Sequence, residues 1–381
     1  MSIEILGVLF HKNVSEISPG GGSPFELETV GALARAFDEN DFDRVLILQN
    51  SFAADPLPIA TYAAAITRRL SFMIAHRPGF VAPTMAARMF ATLDHLSQGR
   101  AGVHIITASN DVETRCDGDY LTKEERYRRS REYVEVMRRM WNATEPVDFK
   151  GDFYRFDRAL GELRPYDGSI PIYWGGASPS ALKFAGECAD VYAMGGLQPV
   201  AEMREFARRV QDAAAKAGRR LKLQASVRLI MGDTEEAAWK QAEGIVESLR
   251  AIAEEQRLAR ESGKTVTRPG MRIDDTLATG KDGEGVANIR AFVAGRDLLD
   301  KRLWTGATKA TATFSTPMIP PVLVGTPEQI ADALGDYYDM GITGFMLRGF
   351  DLLGDIPVMG RELNPLLRRM AEERAPGSLV A

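Results

Sequence analysis

Residues 69–109 read RLSFMIAHRPGFVAPTMAARMFATLDHLSQGRAGVHIITAS. This stretch contains two short apolar runs, at 70–75 and 102–107, and an amphipathic segment between them at 84–97. The apolar runs predict buried strands, and the segment between them predicts a helix. A strand, a helix and a second strand in this order favour a parallel sheet.

The same alternation extends over most of the chain. Capping-box spacings at Thr122 with Glu125 and at Thr326 with Gln329 predict two helix starts. Eight predicted strands, none followed by GxGxxG, favour a (β/α)8 TIM barrel over an open doubly wound sheet. The other six strands are predicted at 3–9, 44–48, 170–174, 191–194, 221–231 and 344–348, and further helices at 25–40, 123–141, 178–188 and 200–217.

The length of 381 residues exceeds the roughly 250 that such a barrel needs, so the chain must carry insertions. We expect a single domain over 1–381, with a long loop before the last helix-strand pair. That loop, 261–319, is rich in Gly, Thr, Lys, Arg and Asp. Its composition predicts a mobile lid with some helix inside it.

Composition limits the partners and the compartment. With 47 Lys plus Arg against 52 Asp plus Glu, the net charge of −5 argues against nucleic acid as a partner. No apolar stretch approaches the roughly 18 residues of a membrane span, and the N-terminus has no basic leader, so we expect a cytoplasmic protein. The two cysteines, Cys116 and Cys188, are expected to be reduced, and the four His are not at metal-ligand spacing.

Polar residues at the carboxyl ends of the predicted strands are candidates for the site, because active sites of barrels lie there. A structural role is the alternative for each of them, and Arg77 in particular would then pair with a carboxylate on the rim. Arg228 and Arg348 lie within apolar strands, where a guanidinium is costly unless it meets an anion. The candidates are His11, Gln49, Asn50, His76, Arg77, His104, Thr107, Arg228 and Arg348.

The sequence YWGGAS, 173–178, is a strand that enters a glycine turn and then a predicted helix. Free backbone N–H groups at such a helix start bind phosphate well. The alternative is a tight turn between strand and helix with no ligand.

Four stretches, in this order, carry a family resemblance: residues 69–109, ERYRRSREYVEVMRRMW (125–141) with DFKGDFYRF (148–156), PIYWGGASPSALKFAGECADVY (171–192) and VGTPEQIADALGDYYDMGITGFMLRGFDL (324–352). With them the chain resembles the bacterial-luciferase-like flavin-dependent monooxygenases. Within that family it is most similar to two-component alkanesulfonate monooxygenases and pyrimidine oxygenases. The resemblance covers almost the whole chain and implies a (β/α)8 barrel.

The resemblance also implies a site. It assigns flavin contacts to a pair after strand two, to a strand-four position that is Asn in the pyrimidine oxygenases, to a Glu nine residues later, to an Arg-Tyr pair and to the glycine turn. The cofactor-binding candidates are thus Gln49, Asn50, His104, Glu113, Arg126, Tyr127, Gly176 and Ser178. His11 and His76 are candidates for proton handling, since imidazole titrates near neutrality. Together with Arg228 and Arg348 they form the catalytic set.

What the resemblance implies for activity is oxidation by O2 with FMN, supplied as FMNH2 by a separate NAD(P)H-dependent flavin reductase. We expect a homo-oligomer, a dimer or tetramer, that oxidises a small organosulfur compound, a sulfonate or sulfone, with carbon–sulfur cleavage. The substrate side departs from the alkanesulfonate pattern: SFAAD replaces a loop with Cys, Arg228 follows Ser-Val in place of Arg-x-His, and Phe350 replaces Tyr. The alternatives are an oxygenase of a non-sulfur substrate such as a cyclic amide, a deazaflavin-dependent dehydrogenase, or a flavin-binding relative without activity.

Overall fold

The computed structural model describes residues 2–15, 17, 23–107, 111–262, 297–311 and 319–374. The chain divides into two compact units. Unit 1 comprises Met1–Phe42, Gly196–Phe206 and Ala225–Ala381, and unit 2 comprises Asp43–Gly195 and Ala207–Gln224.

All eight strands expected from the sequence are present. Each parallel strand is short and mostly buried on both faces, as in α/β proteins with helices around the sheet. The strands are β1 (Glu4–Leu9), β2 (Arg44–Ile47), β3 (Ser71–His76), β4 (Val103–Ile105), β5 (Val147–Lys150), β6 (Arg155–Ala159), β7 (Ile172–Gly175), β8 (Val191–Gly196), β9 (Lys222–Met231), β10 (Leu303–Trp304), β11 (Val322–Gly325) and β12 (Ile342–Arg348). Parallel strands alternate with helices, and the (β/α)8 barrel predicted from the sequence is confirmed.

Four of the helices, α2, α5, α6 and α10, begin at a residue whose side chain caps the first turn. They are α1 (Leu27–Glu39), α2 (Pro56–Ile66), α3 (Pro83–Ser97), α4 (Asp111–Cys116), α5 (Lys123–Asn142), α6 (Pro179–Cys188), α7 (Val200–Ala215), α8 (Glu235–Glu261), α9 (Gly306–Thr311), α10 (Pro327–Tyr338), α11 (Leu352–Val358), a π-helical turn (Met359–Leu363) and α12 (Asn364–Glu373). Both predicted capping boxes are formed, at Thr122 for α5 and at Thr326 for α10. The short acidic helix α4 and helix α2, which begins with two prolines after Asp55, were not predicted.

In unit 1, β1 pairs with β12 in parallel, and β11 lies between β9, to which it is parallel, and the antiparallel β10. A cluster of buried side chains joins β9 and β11 to α8 and α9, with Ile230, Ala242, Ala307 and Val324 among its members. The part of 261–319 that the structure describes therefore contains an element of the core: Leu303 and Ala307 are fully buried. Residues 263–296 and 312–318 of the predicted lid lie outside the described residues.

In unit 2, β2, β3, β4, β7 and β8 pair in parallel in that order. Helices α3 and α5 cover one face of this sheet, where His76 contacts Phe90 and Tyr133. A separate antiparallel hairpin, β5–β6, stands beside α5 and was not expected from the sequence.

Candidate active site

The glycine turn lies between β7 and α6, as the sequence indicates. Gly176 has φ +122°, a conformation that favours glycine, and a Cβ at this position would lie 2.9 Å from the Cβ of Ala181. Ser178 is the N-cap of α6, and its Oγ accepts a hydrogen bond from Ala181 N at 3.2 Å. The turn is exposed at Gly176 and Ala177, so it presents the start of a ten-residue helix to solvent. Helix starts of this kind can bind anions.

Tyr127, from the first turn of α5, is brought to the same place. Its hydroxyl lies 3.4 Å from Ser178 Oγ and 3.2 Å from the Cβ position of Gly176. The ring is held by stacking on Trp174, with centroids 6.4 Å apart, and on Phe184 at 6.3 Å. Two hydroxyl groups and the start of a helix therefore converge on one small volume.

Arg126 differs from Tyr127, because its guanidinium is already hydrogen-bonded to groups of the protein. Nε donates to Thr107 O at 3.0 Å, Nη1 to Leu121 O at 2.6 Å and Nη2 to Asp111 Oδ1 at 2.6 Å. The side chain is 1% exposed. The structure assigns it to joining the end of β4, the start of α4 and the loop before α5.

The loop after β2 is tied to the end of β3. Gln49 Oε1 accepts from Arg77 N at 2.7 Å, and Asn50 Oδ1 accepts from Phe52 N at 2.9 Å. Both residues are only partly buried, which leaves their amides accessible to a ligand.

Glu113 is committed to the same region. Its Oε1 accepts from Arg77 Nη2 at 2.6 Å and from Ser51 N at 3.2 Å. Both side chains of this ion pair are nearly inaccessible, at 3% for Arg77 and 5% for Glu113. The carboxylate of Glu113, predicted as a flavin contact, is therefore the counterion of the buried Arg77. Pairing with a carboxylate is the structural role that the sequence analysis gave as the alternative for Arg77.

His104 and His76 lie on opposite faces of the unit 2 sheet. Registered neighbours in a parallel sheet share a face, so His104 lies with Ala75 and Tyr173, whereas His76 lies with Ile105 and Trp174. The second face is the one covered by helices. There His76 Nε2 lies 2.7 Å from Tyr133 Oη and the ring packs edge-on against Phe90.

Burial lowers the pKa of both imidazoles to about 4, so both are neutral at pH 7. His104 Nδ1 is buried and has no hydrogen-bond partner in the part of the chain that the structure describes. A neutral imidazole with an unused ring nitrogen can bind a polar edge of a ligand. His76, by contrast, uses a ring nitrogen on Tyr133, in the helix layer.

The remaining candidates, His11, Arg228 and Arg348, belong to unit 1. His11 stacks on Phe25 at 6.3 Å, and its pKa is lowered by burial and by the nearby Lys12. Arg228 and Arg348 are on the neighbouring strands β9 and β12. The guanidinium of Arg228 lies 4.2 Å from the ring centre of Phe350, and that of Arg348 lies 5.0 Å from that of Phe10.

Arg228 also has a carboxylate in range. Burial raises the pKa of Asp355, and the positive charge of Arg228 acts in the opposite direction. The sequence analysis did not anticipate Asp355. Two further residues were missed: Ser51, which accepts from Arg77 Nη1 at 2.8 Å, and Tyr192, whose hydroxyl donates to Gly176 O. No sequence signal identifies them, since both depend on contacts between distant segments.

Within the described ranges, no helix is long and apolar enough to cross a bilayer. Among the same residues, no group of three or more His, Cys, Asp or Glu is arranged to hold a metal ion.

Known structures share this fold at low sequence identity. EDTA monooxygenase (EmoA) from Chelativorans sp. BNC1 is 18% identical, with a TM-score of 0.75 over 100% of this chain and 96% of that chain. DmoA from Hyphomicrobium sulfonivorans is 20% identical, with a TM-score of 0.74 over 100% and 91%. Riboflavin lyase (RcaE), solved with modified FMN and riboflavin, is 17% identical, with a TM-score of 0.73 over 99% and 93%.

The sequence profile of the luciferase-like monooxygenases matches residues 3–344. This match spans most of the chain and agrees with both the order of strands and helices and the resemblance carried by the four stretches. The chain therefore belongs to the luciferase-like monooxygenase family and is an oxidoreductase.

Proposed function

We propose that the protein is an FMNH2- and O2-dependent monooxygenase of a two-component system. The observation that carries the proposal is the turn before α6, where the hydroxyls of Ser178 and Tyr127 lie 3.4 Å apart beside Gly176 and the start of the helix. In a member of this monooxygenase family, such a turn fits the phosphate of a flavin mononucleotide. Riboflavin lyase, which has the same fold, was solved with a modified FMN.

The residues present fit that cofactor. The turn requires glycine at position 176, because a Cβ there would lie 2.9 Å from Ala181 Cβ and 3.2 Å from Tyr127 Oη. Two neutral hydroxyls and the positive end of the α6 dipole suit an anion without requiring a buried cation. On the sheet, His104 Nδ1 is a buried nitrogen that lacks a partner among the described residues, and a flavin ring edge would supply one.

The work of this chain is to bind, orient and shield. Ser178 and Tyr127 would hold the phosphate, while Gln49, Asn50 and His104 would position the ring. When bound, reduced FMN supplies the electrons with which O2 is activated. His104 is neutral at pH 7, so it would orient the ring by hydrogen bonding without adding charge.

The reduced cofactor has to come from elsewhere, because no GxGxxG dinucleotide fingerprint follows any strand of this chain. We therefore include a separate NAD(P)H-dependent flavin reductase as a partner, in the cytoplasm. Rapid NAD(P)H oxidation by the purified protein with FMN alone would contradict this part of the proposal.

For the substrate we propose a small organosulfur compound, a sulfonate or a sulfone, that is oxidised with carbon–sulfur cleavage. The support is the presence of two guanidinium groups on neighbouring strands, Arg228 within β9 and Arg348 at the carboxyl end of β12. The charge of Arg228 also acts on the nearby carboxylate of Asp355. Replacing each Arg by Met should raise KM for a charged substrate far more than it changes the affinity for FMNH2.

The cofactor proposal is tested by binding. FMNH2 affinity is measured anaerobically for the wild type and for the Ser178→Ala, Tyr127→Phe double variant. Each neutral hydrogen bond contributes about 0.5 to 1.5 kcal/mol, so the double variant should lose roughly 1 to 3 kcal/mol. Unchanged affinity would place the phosphate elsewhere, and binding of a deazaflavin in preference to FMNH2 would favour a dehydrogenase.

The activity is tested with FMNH2, O2 and a panel of sulfonates, sulfones and heterocycles. Sulfite or sulfinate release that requires both FMNH2 and O2 supports the organosulfur proposal. Oxygenation of a cyclic amide alone would retain the monooxygenase and replace the substrate class.

A further inference from the structure

We propose that Arg77 is a positioning residue that holds the loop after β2 in its flavin-binding conformation, with Glu113 as its counterion. The inference rests on the proposed function, in which Gln49 and Asn50 bind the flavin. In this proposal Arg77 and Glu113 together hold the loop after β2, and neither side chain contacts the cofactor.

The contacts of Arg77 join three segments. Its backbone N–H donates to Gln49 Oε1, and its Nη1 donates to Ser51 Oγ at 2.8 Å. The same guanidinium reaches Glu113 at 2.6 Å and Asp117 at 3.2 Å. One side chain therefore connects the end of β3 with the β2 loop and with α4.

Glu113 closes the arrangement from the other side. Its Oε1 accepts from Ser51 N at 3.2 Å, and its backbone oxygen accepts from Ser51 Oγ at 3.0 Å. Ser51 is thus bonded to both members of the ion pair, and it directly follows Gln49 and Asn50 in the chain. If the side chain of Arg77 were removed, Glu113 would lose the guanidinium 2.6 Å away, and Ser51 Oγ would lose its hydrogen bond from Nη1.

The arrangement also fixes side-chain direction. With Gln49 Oε1 occupied by Arg77 N, the donor end of that amide faces away from β3. Asn50 is held in the same way by Phe52 N. Both amides are oriented before any ligand arrives, which reduces the entropy lost on binding.

The test compares Arg77→Met and Arg77→Lys with a matched control, Arg100→Met. Arg100 is also a many-bonded Arg of unit 2, whose guanidinium donates to Ser97 O, Thr67 Oγ1 and Leu70 O. It precedes β4 and therefore lies at the amino end of the strands, away from the proposed flavin site. Two quantities are measured at a temperature where all variants are folded by circular dichroism: the Kd for FMN, and amide exchange of Ser51 and Phe52 without cofactor.

Arg77→Met is expected to raise the Kd for FMN about tenfold or more and to accelerate exchange at Ser51, whereas Arg100→Met changes neither. Arg77→Lys keeps the charge opposite Glu113 and restores stability. The single ammonium of Lys cannot make all the contacts of the guanidinium with Ser51, Glu113 and Asp117, so the Kd of Arg77→Lys for FMN should stay above that of the wild type.

The outcomes are distinguishable. A wild-type protein that binds neither FMN nor, under anaerobic conditions, FMNH2 would overturn the proposed function. If the wild type binds FMN and Arg77→Met binds it equally well, or if Arg77→Lys recovers full affinity, the inference fails alone. If Arg77→Met does not fold, Glu113→Gln takes its place with the same two measurements, since it removes the charge of the counterion.

Discussion

Glu132 should be one of the most costly positions of unit 2 to replace, because it holds the β5–β6 hairpin against α5. Its carboxylate accepts from the backbone N–H groups of Asp152, Phe153 and Tyr154 at 2.9, 3.0 and 2.7 Å. The residue is 7% exposed. A hydrogen bond to a charged group contributes about 1.5 to 3 kcal/mol, and water can replace part of each bond at the surface. We therefore expect Glu132→Ala to lower the free energy of unfolding by about 3 to 5 kcal/mol.

Glu132→Gln should lie between the wild type and Glu132→Ala, because its one carbonyl oxygen still accepts while its NH2 group faces donors. The control is Glu135→Ala on the same helix. The partly exposed carboxylate of Glu135 pairs with Arg131 and Arg139, and its loss should cost less than about 1 kcal/mol. Urea unfolding followed by circular dichroism measures the differences, and hydrogen exchange at 152–154 localises them. A loss at Glu132→Ala no larger than that at Glu135→Ala would refute the reasoning.

Three other predictions concern buried charge, capping and acid. Arg77→Met should lower the free energy of unfolding by about 3 to 5 kcal/mol. The same substitution should cost less in a protein that already carries Glu113→Leu, and a double-mutant cycle of urea unfolding measures the difference. Thr122→Ala removes the cap of α5 and should cost about 1 kcal/mol in the same assay, with Glu125 and its half of the capping box left in place. Burial lowers the pKa of His76 from 6.5 in the unfolded chain to about 4 in the folded protein. The unfolded chain therefore binds a proton first, and the free energy of unfolding falls as the pH falls from about 6.5 to about 4. His76→Gln should reduce that fall by up to about 3 kcal/mol, and equal pH profiles of the two proteins would contradict the lowered pKa.

Local sequence patterns predicted the elements that depend on local physics. The Thr122 and Thr326 capping boxes form because cap and partner are three residues apart, and both are read directly from the chain. The same holds for the glycine turn, where Gly176 takes a positive φ that few other residues adopt. The neighbourhood of Tyr127 and Ser178 followed from the family resemblance, and the structure brings the two hydroxyls within 3.4 Å.

The β5–β6 hairpin was missed for a physical reason. Its strands, VDFK and RFDRA, are half exposed and carry charges on alternate positions, so they lack the apolar runs that mark the buried strands. What stabilises the hairpin is Glu132, a side chain 20 residues from the nearest of its partners. Its rings Phe149 and Phe156 stack with centroids 5.4 Å apart, which is visible only once the strands are paired.

The end of β3 shows how adjacent residues take different roles. The sequence grouped His76 and Arg77 as one polar pair at a strand end, yet a strand directs successive side chains to opposite faces. His76 reaches Tyr133 in α5, while Arg77 reaches Ser51 in the loop after β2 and Glu113 in α4. Two residues that are adjacent in the sequence therefore belong to different layers of the fold, and it is Arg77 that is joined to the loop for which we propose flavin binding.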